Sequence, residues 1–140
     1  MNLQEIKKAR EEAVTKAITD NKVFFAFNNQ QFTEGLKKIQ LQEGDKIRSI
    51  GAGGYIPKSM YNNFTDTIDK IDADYKVAIK NNKLRYKEII YELYNHECFY
   101  TGDIQDCLDA LGEDYTDKEV QSIYNSERKN ALKVEEYKNT

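Results

Sequence analysis

The stretch Ile47-Arg-Ser-Ile-Gly-Ala-Gly-Gly-Tyr-Ile-Pro-Lys-Ser59 decides how the chain is read. It holds three of the seven glycines and the only proline. Glycine adopts positive φ without the steric cost that a Cβ brings, so glycines between two short apolar runs read as a hairpin turn. Lys46–Ile50 is expected as one strand and Tyr55-Ile56 as its return. Pro57 has no backbone N–H to donate, and Ser59 behind it is a good N-cap, so a helix should begin there.

Toward the N-terminus, Asn2–Asp20 reads as an amphipathic helix, with Leu3, Ile6, Val14, Ala17 and Ile18 near one stripe and Asn21 as its stop. Val23-Phe-Phe-Ala-Phe27 is the strongest strand signal in the chain. Its alternate faces are both apolar, which predicts a covered, central strand. Asn29 is placed to cap a short helix running through Gln40. Gly35 inside that helix counts against it, since glycine costs about 1 kcal/mol there relative to alanine. Glu43-Gly-Asp45 reads as a turn.

Toward the C-terminus the pattern is helical almost throughout. Met60, Phe64, Ile68, Ile71, Tyr75 and Ile79 recur at helical spacing, and the next core position in phase is Asn82. That polar residue predicts a break into two antiparallel helices around Asn81-Asn82, the alternative being one long helix. A short helix follows Thr101-Gly-Asp103, buries Ile104, Cys107, Leu108 and Leu111, and ends at Gly112. Thr116-Asp-Lys-Glu119 has the capping-box pattern and opens a last helix, beyond which 133–140 is expected to fray. The expected class is α+β: a two- to three-stranded antiparallel sheet packed on about five to six helices. One domain is expected, with a mixed part over 1–58 and a helical part over 59–132.

Hydrophobic residues at 39% and charged residues at 32% describe a charge-rich globular chain. Six Phe and ten Tyr in 140 residues argue against disorder. A net charge of -3 leaves no electrostatic footprint for nucleic acid. The charge is uneven, however: Glu97–Glu119 carries eight acidic residues against Lys118 alone. No apolar run approaches the ~20 residues of a membrane span. Two cysteines make no disulfide framework, which fits a reducing, cytoplasmic setting.

Three constellations are candidates for function. The first is the glycine loop with its flanks: Arg48, Ser49, Gly51, Ala52, Gly53, Gly54, Tyr55, Lys58 and Ser59. Converging backbone N–H groups and two cations would suit a phosphorylated or nucleotide-like ligand, with Tyr55 stacking on a ring. No phosphate-loop or dinucleotide fingerprint accompanies it, so a plain hairpin turn is the competing reading. The second is the acidic surface of Asp103, Asp106, Asp109 and Glu113, which suits a basic partner or is simply a solvated face. The third is His96 and Glu97 at a helix junction, where a hydrogen bond to Thr101 or Asp103 is expected. Glu92, His96, Cys98 and Cys107 do not match an established zinc spacing, and His96 and Cys98 are two apart, a poor nucleophile–base pair on a helix. No catalytic residue, metal or cofactor is assigned.

Lys22-Val-Phe-Phe-Ala-Phe-Asn28, Ser49-Ile-Gly-Ala-Gly-Gly-Tyr-Ile-Pro-Lys58, Asn95-His-Glu-Cys-Phe-Tyr-Thr-Gly-Asp103 and Leu108-Asp-Ala-Leu-Gly112 together resemble an uncharacterised family of small proteins. That family is encoded by tailed bacteriophages and prophages of low-GC Gram-positive bacteria, and the likeness runs from Lys22 to Lys129. The resemblance implies a small accessory phage protein acting in the infected cell, and the leading expectation built on it is a non-enzymatic protein that inhibits a host or anti-phage defence component. It would do so by sequestering a small phosphorylated or nucleotide signal, or by binding a protein directly. A small enzyme acting on such a substrate and an oligomer-forming structural protein are the alternatives.

Overall fold

The computed structural model describes the backbone of residues 1–138 and the side chains of residues 1–133. Of the tail expected to fray, 133–140, the backbone is helical through Lys138 and only 139–140 lie outside the described residues. The chain forms two compact units, one of Gln4–Ala78 and one of Met1–Leu3 with Ile79 onward.

The first unit begins with helix α1, Leu3–Asp20, which ends where Lys22 turns to φ 56 and the buried Asn21 side chain donates to the Ala17 carbonyl. Strand β1 is only Phe24–Phe25. Helix α2, Asn29–Ile39, is capped by Asn28, one residue earlier than expected. The Asn28 side chain accepts from the Gln31 N–H at 2.8 Å, while the Gln31 side chain accepts from the Phe27 N–H at 2.8 Å. Strands β2, Ile47–Gly51, and β3, Gly54–Pro57, form the expected hairpin. Ala52 and Gly53 at its tip both have positive φ, the signature of a type I′ turn. Ile50 is the extra residue of a bulge between the Ser49↔Tyr55 and Gly51↔Gly54 pairs.

The sheet order is β1-β3-β2, all antiparallel. The phenylalanine-rich strand is therefore at an edge, and β3 is the central strand. The apolar alternation misled because its two faces end in different surroundings. Phe24 stacks at 5.6 Å on Tyr55 and packs on Phe32, whereas Phe25 and Phe27 are 50% and 76% exposed. Proline in a central strand is unusual, but Pro57 sits past the end of β1, where no ladder partner waits for its missing donor.

A single 3-10 turn, Lys58–Met60, leads into helix α3, Tyr61–Asn81. Ser59 is not an N-cap. Its hydroxyl and N–H both donate to Asp45, so a residue from the preceding turn holds this end of the helix. Within the unit, α1 is tied to α3 by Lys7 to the Tyr75 hydroxyl at 3.0 Å and by Arg10 lying over the Tyr75 ring.

In the second unit the expected break falls at Asn82-Lys83-Leu84, with Lys83 at φ 55. It contains α4, Arg85–Asn95; the one-turn α5, Cys98–Thr101; α6, Gln105–Leu111; and α7, Asp117–Lys138. The fold is thus α+β as expected, with seven α-helices among the described residues. The core joins Ile89, Leu93, Cys98, Cys107, Leu111, Val120 and Tyr124. Phe99 lies between two aromatic neighbours, 4.9 Å from Tyr94 and stacked at 5.1 Å on Tyr124. The Thr116 cap forms only half of a capping box. Its hydroxyl accepts from the Glu119 N–H, but the Glu119 carboxylate is drawn off to Arg85, with two contacts of 2.7 Å.

Candidate functional site

Alternation along the hairpin separates the residues gathered around the glycine loop. Arg48 is paired with Ile56 and Ser49 with Tyr55, so Arg48 and Tyr55 project from opposite faces of the sheet. Tyr55 belongs to the face covered by α2, in a three-ring cluster with Phe24 and Phe32. Arg48 belongs to the face toward α3, its guanidinium 3.8 Å from the centre of the Tyr61 ring. A single ligand at the loop cannot rest on both. Gly51 and Ala52 are exposed, and the Gly51 N–H lies 3.4 Å from its own strand's Ser49 hydroxyl. Gly53 is covered by the Phe27 ring, and its carbonyl accepts from the Ala26 N–H. Gly54 is buried against Ile50. These glycines serve turn geometry and close packing.

Lys58 is exposed and its N–H donates to the Lys46 carbonyl at 2.7 Å. Ser59 borders a cleft of about 440 Å³ that is also lined by Lys22, Leu41, Gly44, Asp45 and Met60. The charge that faces Ser59 is negative. Its hydroxyl, chiefly, holds the Asp45 carboxyl below the usual carboxylate range. A carboxylate so placed opposes an incoming phosphate.

On the other face of the hairpin a second cleft, about 370 Å³, opens between β2 and α3. Ile50, Tyr61, Phe64, Thr65, Ile68 and Asp69 line it. Sequence reading missed this groove, because its walls are ordinary core-phase residues of α3 that the short edge strand fails to cover.

In the second unit, Asp103, Asp106, Asp109 and Glu113 are all exposed, as expected of the acidic surface. Two of them also have local work: Asp103 accepts from the Gln105 N–H at 2.9 Å, and Asp109 accepts from the Gln105 side chain at 2.8 Å. Tyr100 stands beside this run in sequence and is 84% exposed. His96 does not reach Thr101 or Asp103. Its Nε2 lies 3.1 Å from Glu92 one turn back, while Thr101 and Asp103 bond to each other. Glu97 contributes backbone geometry, at φ 54 between α4 and α5.

Both cysteines are free and fully buried. Burial raises the Cys98 thiol above its ordinary value and pushes Cys107 up to about 12, so both stay protonated and pack as small apolar side chains. Among the described residues no group of three or more His, Cys, Asp or Glu is placed to hold a metal ion. Among the same residues no helix is long and apolar enough to cross a membrane.

Residues 4–130 match the model of a family of unknown function (DUF7659). No curated protein and no solved structure matches the chain.

Proposed function

The chain belongs to that family, and on that premise we propose that it is a non-enzymatic accessory protein that binds and inhibits a partner protein. The observation that carries this reading is the contrast between its polar groups. Those suited to chemistry are spent on structure: His96 on Glu92, Ser59 on Asp45, and both thiols in the core. The acidic side chains from Asp103 to Glu113 stand in solvent instead, with an exposed tyrosine next to them. Tyrosine beside charge is the composition of a contact surface, since its ring can be buried while its hydroxyl stays bonded.

A bacteriophage or prophage source, a host or anti-phage defence target and action in the host cytoplasm are the finer parts of the proposal. They rest on the sequence resemblance carried by the Lys22–Asn28, Ser49–Lys58 and Asn95–Asp103 segments. The protein-binding arm is favoured over sequestration of a phosphorylated ligand because Arg48 and Tyr55 diverge across the sheet.

The test is affinity capture from lysate of a low-GC Gram-positive host, with the Asp106→Lys, Asp109→Lys, Glu113→Lys triple variant as control. A host protein held by the parent chain and released by the variant is the expected result. Capture that survives the reversals removes the acidic surface from the proposal. In parallel, a nucleotide panel that raises the melting temperature, with the shift abolished by Arg48→Ala with Lys58→Ala, would transfer the reading to the glycine loop.

A further inference from the structure

The first unit carries a second feature, independent of the acidic surface, that fits a particular kind of ligand. Strand β2 is an edge: its only neighbour in the sheet is β3. The Lys46 carbonyl accepts from the Lys58 N–H, and the register pairs Arg48 with Ile56. By alternation, Lys46 and Arg48 turn their carbonyls toward β3, while Ile47 and Ser49 turn their N–H and C=O groups outward. Ile47 is half-buried and Arg48–Gly51 are exposed, so the open edge faces solvent from Arg48 onward, with the Ser49 groups outward. The mainly apolar cleft between β2 and α3 meets this strand at Ile50 and is walled by Tyr61, Phe64 and Ile68, with Thr65 and Asp69 also in its lining. At its side the Arg48 guanidinium lies on the Tyr61 ring, and no carboxylate among the described residues is within ion-pair distance of it.

An unpaired edge strand and a helix bounding an apolar groove is the geometry of strand addition. The main chain of an extended peptide extends the sheet and alternate side chains enter the groove. We propose that β2 and α3 form a docking site for an extended peptide segment of a partner protein. That segment carries an apolar residue and a carboxylate two positions apart. The spacing follows from the pleat: a strand laid on β2 presents every second side chain to the α3 face, where Ile50 and Arg48 are themselves two apart. The apolar side chain enters the cleft by Ile50, and the carboxylate meets Arg48, whose contact with Tyr61 holds the guanidinium in place. The bulge at Ile50 and the glycine turn stop the added strand at that end.

The experiment selects a random-sequence displayed peptide library on the full chain, then measures binding of a selected peptide by fluorescence anisotropy. The expected outcome is enrichment of sequences with Leu, Ile, Val or Phe two positions from Asp or Glu. Arg48→Ala is expected to weaken the selected peptide roughly tenfold. Since that variant also removes a packing contact, a second comparison leaves the protein untouched: N-methylating the peptide at the backbone N–H that faces Ser49 should weaken binding by a similar factor. Selection that yields no shared pattern overturns the proposal. So does binding that is indifferent to both changes. The triple acidic reversal in the other unit should leave peptide binding unchanged, which separates failure of this site from failure of the acidic surface.

Discussion

Gly35 is the residue whose role could not be read from the chain. In an exposed helix a glycine is a defect, and alanine there would add about 1 kcal/mol. Here the Phe24 ring lies directly on Gly35, and an added Cβ would clash with its Cδ2 and come within 2.5 Å of its Cε2. The glycine is what lets α2 approach β1. Gly35→Ala should therefore reverse the usual sign and destabilise by about 1–3 kcal/mol, as overpacked core sites do. Chemical denaturation measures it, and a gain in stability would mean that the ring is free to swing aside. Ala52 presents the opposite case. It holds φ 50 at the hairpin tip, a conformation that costs an alanine about 1 kcal/mol and that asparagine tolerates. Ala52→Asn should raise stability by about 0.5–1 kcal/mol and leave the hairpin otherwise unchanged. A lower melting temperature would contradict the turn assignment.

At the scale of elements, signals confined to one segment were legible and those settled by a neighbour were not. Asn82, a polar residue in core phase, marked the end of α3 correctly because a helix cannot bury it cheaply. The Thr116 motif located the start of α7, but its Glu119 carboxylate was claimed by an arginine more than thirty positions away, which no local pattern announces. Arg85 joins α4 to the α7 start: it lies 3.9 Å over the Tyr115 ring and donates to the Asp114 carbonyl. The hydrogen bond from Arg85 lowers the Glu119 carboxyl below its ordinary value. A depressed carboxyl pKa contributes stability that is full above the unfolded value and is lost as pH falls through the folded one. The pair is partly exposed, so screening limits its worth to roughly 0.5–1 kcal/mol. Glu119→Gln should cost about that much at neutral pH and flatten the acid limb of the stability profile. An unchanged acid limb would show that the pair contributes nothing.

Across the molecule, the apolar pattern foretold the class of the fold, and the acidic run from Asp103 to Glu113 stands in water, whereas the buried Glu88 was not foreseen. The candidate site was less legible. Strand alternation placed Arg48 and Tyr55 apart, and the groove beside β2 exists only because a five-residue strand leaves part of α3 uncovered. The two thiols report on the second unit as a whole. Because Cys98 and Cys107 are fully buried, an aromatic disulfide reagent should label neither until the unit opens, and both in denaturant. Rapid labelling of the native protein would refute that burial. With Cys107 raised to about 12 by desolvation, stability should also fall as pH climbs from the ordinary thiol range toward that value. Cys107→Ala should remove that part of the alkaline loss.

Pro57 has one more effect, on how the hairpin finds its alignment. Its nitrogen faces the β1 side, beyond the last pair of that strand, so in the native register the ladder with β2 loses nothing. A slip of one residue must turn one strand over: if β3 turns, that nitrogen faces β2 and a rung is deleted, and if β2 turns, Arg48 is sent to the face of the Phe24 and Phe32 rings. Misalignment is penalised either way, by backbone in one case and by side chain in the other. The correct pairing closes over a span of about ten residues, the kind of local contact that forms within microseconds. The proline thus acts as a proofreading element against the alignments that turn β3 over.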